Sequence, residues 1–115
     1  MRMLKESLEL LASDFRAQVH YLQTQGVPAG ADELAENFAD EALLVPQLLK
    51  RKMITPLAAA EIDKLEELLS SMSGGSNAPL WTTEALEQSH EWALVRKQAR
   101  NALNELENAG SGSDA

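Results

Sequence analysis

The patterning of the chain predicts an all-α fold: a single antiparallel bundle of four principal helices with one or two short ones. Three observations carry this. Apolar residues return at spacings of three and four through most of the 115 residues, and no alternation of period two persists. β-Branched residues are sparse, and no internal repeat is visible. Between the apolar runs stand residues that cap or break helices.

Leu4, Leu8, Leu11, Phe15, Val19 and Leu22 lie along one face of a first helix expected to run to about Gln25, where Gly26, Val27 and Pro28 end it. After the Pro28-Ala29-Gly30 turn, Asp32 is the expected N-cap of a second helix, with Leu34, Phe38, Ala42 and Val45 facing inward. Pro46 removes a donor and disfavours helical geometry at Val45. A kink or a tight break is expected there, the other course being a short new helix with Pro46 in its first turn. Thr55-Pro56 reads as an N-cap followed by proline at the first helical position, opening a helix that carries Ala58, Ile62, Leu65, Leu69 and Met72 inward.

The run SMSGGSNAPL predicts the longest internal loop. Thr82 then caps a short helix, with Trp81 stapled to Leu86 across the cap. Ser89 caps a longer helix that turns Trp92, Val95, Ala99, Ala102 and Leu106 inward. From Asn108 onward no large apolar residue remains, so the domain is expected to span 1–108, followed by a disordered tail at 109–115.

At this length folding buries roughly two thirds of the surface an unfolded chain exposes, enough for one modest core. With no cysteine there are no disulfides, thiolate metal sites or cysteine nucleophiles, and a reducing compartment suits the chain; the cytoplasm is the expectation. MRMLKESLELLASDF has no long unbroken apolar run of the secretory kind. No stretch approaches the roughly twenty apolar residues of a spanning helix, so no membrane partner is expected.

Eighteen acids against ten cations give a net charge of −8, and the acids are concentrated. Residues 27–49 hold Asp32, Glu33, Glu36, Asp40 and Glu41 without a cation, and residues 61–91 hold seven acids against Lys64 alone. Nucleic acid is disfavoured as a partner, because phosphate binding rests on cations that displace counterions. Basic proteins are favoured. The competing explanation is that the acids only solvate a small protein.

The candidate reactive motifs lack the residues their chemistry requires. Glu87-x-x-His90 has the spacing of di-iron carboxylate bundles, but such sites need the motif twice, and His20 has Ala17 where the second glutamate would stand. His90-Glu91 opens the H-E-x-x-H zinc motif, yet Leu94 occupies the second histidine position. Serines sit at caps and loops with no strand-to-helix elbow to expose a nucleophile, and Gly74-Gly75 lacks the lysine of a phosphate-binding loop. No enzyme, cofactor or metal is expected. The cations Lys50, Arg51 and Lys52 end a helix, and Arg96, Lys97 and Arg100 are placed for ion pairs with Glu91, Glu105 or a neighbouring helix.

Taken together, ENFADEALLVPQLLKRKMIT, EIDKLEELLSSMSG and LWTTEALEQSHEWALVRKQA resemble small bacterial proteins of the toxin-immunity type. That resemblance implies a protein that blocks a toxin domain and is acidic where the toxin is a basic nuclease. Independently, a nuclease site that holds phosphate is cationic, and carboxylates would mask it and speed encounter. The expected partner face is Asp32, Glu33, Glu36, Asp40, Glu41, Glu61, Asp63, Glu66 and Glu67, with Trp81 exposed enough to join it. The rival readings are a structural or adaptor bundle, homodimeric and apolar in its contacts, and a small regulator binding nucleic acid through Arg96, Lys97 and Arg100.

Overall fold

The computed structural model describes residues 2–24 and 30–113, apart from the side chains of 75 and 108–113. The described residues are helical with no strand: α1 (Arg2–Ala12), α2 (Phe15–Thr24), α3 (Asp32–Ala42), α4 (Val45–Lys50), α5 (Pro56–Ser71), a 3-10 segment (Gly75–Trp81), α6 (Thr83–Gln88) and α7 (His90–Ser113). α1 packs on α7 and α3, α7 also on α5, and α3 on α5, so these four helices close a ring around the core. α2 and α6 pack on each other, and α4 packs on α5. The predicted apolar stripes meet inside: Leu4, Leu8 and Leu11 of α1, Leu34 and Phe38 of α3, Ile62 and Leu65 of α5, and Trp92, Val95 and Ala99 of α7 are all buried. No described helix is long and apolar enough to cross a membrane.

Three predicted caps stand as read. Thr55 Oγ1 accepts from Ala58 N–H at 3.1 Å, Thr82 Oγ1 from Ala85 N–H at 3.2 Å, and Ser89 Oγ from Trp92 N–H at 3.1 Å. Each satisfies one of the donors that the first turn of a helix leaves unpaired. Trp92, Val95, Ala99, Ala102 and Leu106 are buried along α7 as expected.

Four expectations need correction. The first helix does not run unbroken toward Gln25: it stops at Ala12, and α2 begins at Phe15. Asp14 is an N-cap, its Oδ1 accepting from Ala17 N–H at 3.1 Å, while side chains from elsewhere take the carbonyls α1 leaves open. The apolar stripe continues through the break, which is why periodicity alone hid it. Asp32 is not the N-cap of α3; Ala31 holds that position in helical geometry without a side-chain cap, and Asp32 and Glu33 form the first turn, where carboxylates meet the positive end of the helix.

At Pro46 the chain takes the second course. α3 ends at Ala42, Leu43 and Leu44 turn, and α4 starts at Val45 with Pro46 in its first turn, where no donor is required of it. The fourth correction concerns SMSGGSNAPL. Its second half is the 3-10 segment Gly75–Trp81, entered through Gly74 at φ +109°, a backbone geometry that side chains other than glycine's rarely adopt. Asn77 Nδ2 ties the segment back to Ser73 O at 3.0 Å.

The Pro28-Ala29 part of the predicted turn falls at 25–29, outside the described residues. The backbone of α7 is helical to Ser113, past Asn108 where the domain was expected to end. Residues 114–115 lie outside the described residues.

Candidate protein-binding groove

Between the first half of α3 and the end of α5 runs a groove whose fixed wall is Trp81. One part is a cleft of about 280 Å³ lined by Ala35, Phe38 and Ala39 of α3, Leu69 of α5 and Trp81, with Glu36 of α3 and Glu66 of α5 also in its lining. It continues past Ser73 and Gly74 toward Asp32. Small side chains open it: Ala35 and Ala39 lie one turn apart on α3, and Ser70 and Ser73 lie at the end of α5. No lysine or arginine lines either part.

Trp81 is held from three directions. Its indole Nε1 donates to Met72 O at the end of α5, at 2.8 Å, and its ring stands edge to face against Trp92 with centroids 5.5 Å apart. Its own carbonyl accepts from Ala31 N–H at 3.2 Å, fastening the start of α3. That last contact needs Gly30: a Cβ there would sit 2.9 Å from Trp81 O and from Asp32 Oδ1. Trp92 in turn donates from Nε1 to Leu80 O at 2.6 Å, so the 3-10 segment hangs on both indoles. The expectation that Trp92 is core and Trp81 partly exposed agrees with these positions.

The groove collects Asp32, Glu36, Glu66 and Trp81 from the predicted partner face. Asp40 and Glu41 line a different cleft with Glu6, between α1 and α3. Glu61 is turned toward α7: Gln98 Nε2 donates to its Oε2 at 2.6 Å and to its carbonyl at 2.8 Å, and Lys64 Nζ sits 3.2 Å from Oε1. Glu33 is half-buried in the first turn of α3, and Asp63 and Glu67 are exposed on α5 outside these clefts.

The two glutamates of α5 therefore titrate in opposite senses. The hydrogen bond from Gln98, reinforced by Lys64 against some burial, holds the Glu61 carboxyl below the usual range. Burial against the groove, and then the charge of Asp63, raise that of Glu66.

The residues of the groove that sequence reading passed over are its small ones. Alanine and serine carry no chemistry to notice, and their helical spacing was the only sign of an open face.

Arg96 and Arg100 do not make the predicted ion pairs. Arg96 Nη1 donates to Leu86 O at 2.9 Å and to Gln18 Oε1 at 3.0 Å, and Arg100 Nη2 donates to Ala12 O at 3.0 Å. Gln18, fully buried, completes the cluster by donating from Nε2 to Leu10 O and Leu11 O at 3.2 and 3.0 Å. Burial lowers the pKa of Arg96, with the charge of Asp14 opposing. Arg100 and Gln18 thus close the end of α1, and Arg96 ties Gln18 to α6. Lys97 is exposed.

Glu87 and His90 fall on different helices, α6 and α7, because the chain turns at Ser89. Among the described residues no three His, Asp or Glu side chains gather at metal-binding distance.

The chain matches no protein-family model, and no curated protein or solved structure matches it.

Proposed function

We propose that this chain is a protein-binding domain without chemistry of its own, and that the α3–α5 groove receives a cationic segment of its partner. One observation carries the reading: an apolar cleft walled by a pinned tryptophan has Asp32, Glu36 and Glu66 along its length and no cation in its lining. A lysine or arginine would lay its aliphatic stem on Ala35, Ala39 and Trp81 and bring its charge to the carboxylates, with the indole face adding cation–π attraction. The raised pKa of Glu66 fits a carboxylate that gains from such a neighbour. Within this reading the four principal helices form an antiparallel bundle that serves as a rigid frame for the groove.

The partner class we favour is a basic toxin domain, a nuclease among the candidates, which the protein neutralises by covering its active site or a nearby surface. Two tests bear on it. If a gene for a large secreted toxin adjoins this one, coexpression of the two relieves toxicity. The double reversal Glu36→Lys with Glu66→Lys abolishes that relief and weakens binding by at least about 100-fold, since like charges juxtaposed across an interface cost several kcal/mol. Undiminished protection by the double variant, with helicity preserved, would remove the groove from the reading.

A further inference from the structure

The end of the α3–α5 pair opposite the groove has the reverse character. From Ala42 to Ala60 the chain carries no acid and three cations, Lys50, Arg51 and Lys52, while all eighteen acids and the other seven of the ten cations lie outside it. Four of the six large apolar side chains exposed among the described residues are also here: Leu43 at 78%, Leu57 at 68%, Met53 at 48% and Leu44 at 41%. They bracket α4, a helix of six residues, so the span from Leu43 to Lys50 is about 10 Å. Leu43 and Leu44 keep right-handed helical geometry into α4, which continues the exposed strip through Pro46 and Gln47 to Lys50.

This knuckle ends on a hydrogen-bonded stop that holds its charges outward. Lys52 adopts φ +58°, Met53 N–H donates to Leu48 O at 2.9 Å, and Lys52 N–H donates to Leu49 O at 3.0 Å. None of the clefts described above has a lining residue from 42–60. The knuckle is cationic and apolar, and the groove is acidic and apolar.

We infer that the occupant of the knuckle is a second copy of this chain, with Leu43, Leu44 and Lys50–Lys52 of each protomer seated in the Glu36–Glu66–Trp81 groove of the other about a two-fold axis. The inference rests on reading the groove as a protein-binding surface. The two surfaces lie end to end along α3 and its helical continuation toward α4: Glu36 and Leu43 are two turns apart, on one side of the helix and separated by about 10 Å. A two-fold rotation exchanges the two ends of such a face, so each meets its complement. One contact engages fewer than the about 20–30 residues a side of a standard interface, and the symmetry supplies it twice. The dimer covers the groove, so a cationic partner binds by displacing a copy.

Sedimentation velocity of the full chain over a range of concentrations tests this. A monomer–dimer equilibrium that weakens with added salt is expected. The knuckle variant, Lys50→Glu with Arg51→Glu and Lys52→Glu, and the groove variant, Glu36→Lys with Glu66→Lys, each alter only exposed side chains. Each alone raises the dimer dissociation constant at least about 100-fold. Mixed, the two variants have complementary charges at both contacts, and heterodimer returns.

A wild-type chain that stays monomeric overturns the inference, as does a dimer indifferent to both variants or a mixture that fails to associate. Open-ended growth beyond the dimer overturns the two-fold arrangement. Binding of the monomeric chain to phosphatidylserine vesicles through the knuckle assigns that surface to lipid instead. Toxin relief is read separately by coexpression, so failure of the dimer leaves the groove's reading standing, whereas failure of the groove variant in both assays removes both.

Discussion

Where α1, α2 and α6 meet α7, polar side chains are turned onto backbone carbonyls. Gln18, Arg96 and Arg100 take Leu10 O, Leu11 O, Leu86 O and Ala12 O, and among the described residues no buried side-chain nitrogen or oxygen lacks a partner. In the α3–α5 groove, Asp32, Glu36 and Glu66 border apolar surface with no cation in the lining. The difference separates polarity the fold uses for itself from polarity it presents. Sequence composition treats both alike, for an arginine at 96 and a glutamate at 66 each read as a charge on an amphipathic helix.

The largest effect is expected at the junction. Gln18→Ala removes two donors to α1 and an acceptor for Arg96 inside a closed site, and should lower the unfolding free energy by about 3 kcal/mol in urea denaturation. A loss under about 1 kcal/mol would place the cluster with the solvated charges. The groove has its counterpart in Gly30→Ala. A methyl 2.9 Å from Trp81 O must move α3 or the indole's backbone, so stability should fall by about 2 kcal/mol, with a shift in tryptophan emission if the wall moves.

A smaller effect of opposite sign is expected at the knuckle. Lys52→Gly relieves a left-handed residue and should add about 1 kcal/mol, the steric relief exceeding the entropy glycine loses on folding. The smallest effects distinguish the two faces of α5, and solvent screens both. Glu61 has a lowered folded pKa, so its contribution is present above the unfolded value near 4.5 and is lost as pH falls through the folded one. Glu66 has a raised folded pKa. Its protonated form favours the folded state at low pH, and that contribution is lost as pH rises from 4.5 through the raised value. In thermal melts across this range, Glu61→Gln should cost stability only on the neutral side, and Glu66→Gln should gain it there. Profiles of the same sign would erase the distinction between the faces.

Much of the helical framework was legible because its signals are local. A hydroxyl three residues before an unpaired N–H makes a cap wherever it occurs, as at Thr55, Thr82 and Ser89, and the Trp92-to-Leu106 stripe needs only 3.6 residues per turn. The break at Ser13 escaped notice because the apolar stripe passes through it, while a partner that stabilises it, Arg100, stands 88 residues from Ala12 in sequence, on α7. Asp32 was misplaced by one position because the start of α3 is held by Trp81 O, which no neighbouring residue signals. Of the predicted partner face, the acids were visible as charges. Their grouping was not, because it depends on which side of α5 faces α3 and which faces α7.

By itself, then, the sequence determined that the chain is helical, where most helices begin, which side chains are apolar enough to form the core, and that it is strongly acidic. These follow from chemistry within a turn or two of each residue. The tertiary structure alone decided that Glu61 would be bound to α7 and Glu66 left beside the groove, that Arg100 would close α1 while Arg96 bound α6, and that two tryptophans at right angles would hold a wall. Those outcomes depend on the relative placement of helices far apart in the chain, where a few ångströms determine whether a charge meets a carbonyl, a neighbouring side chain or water.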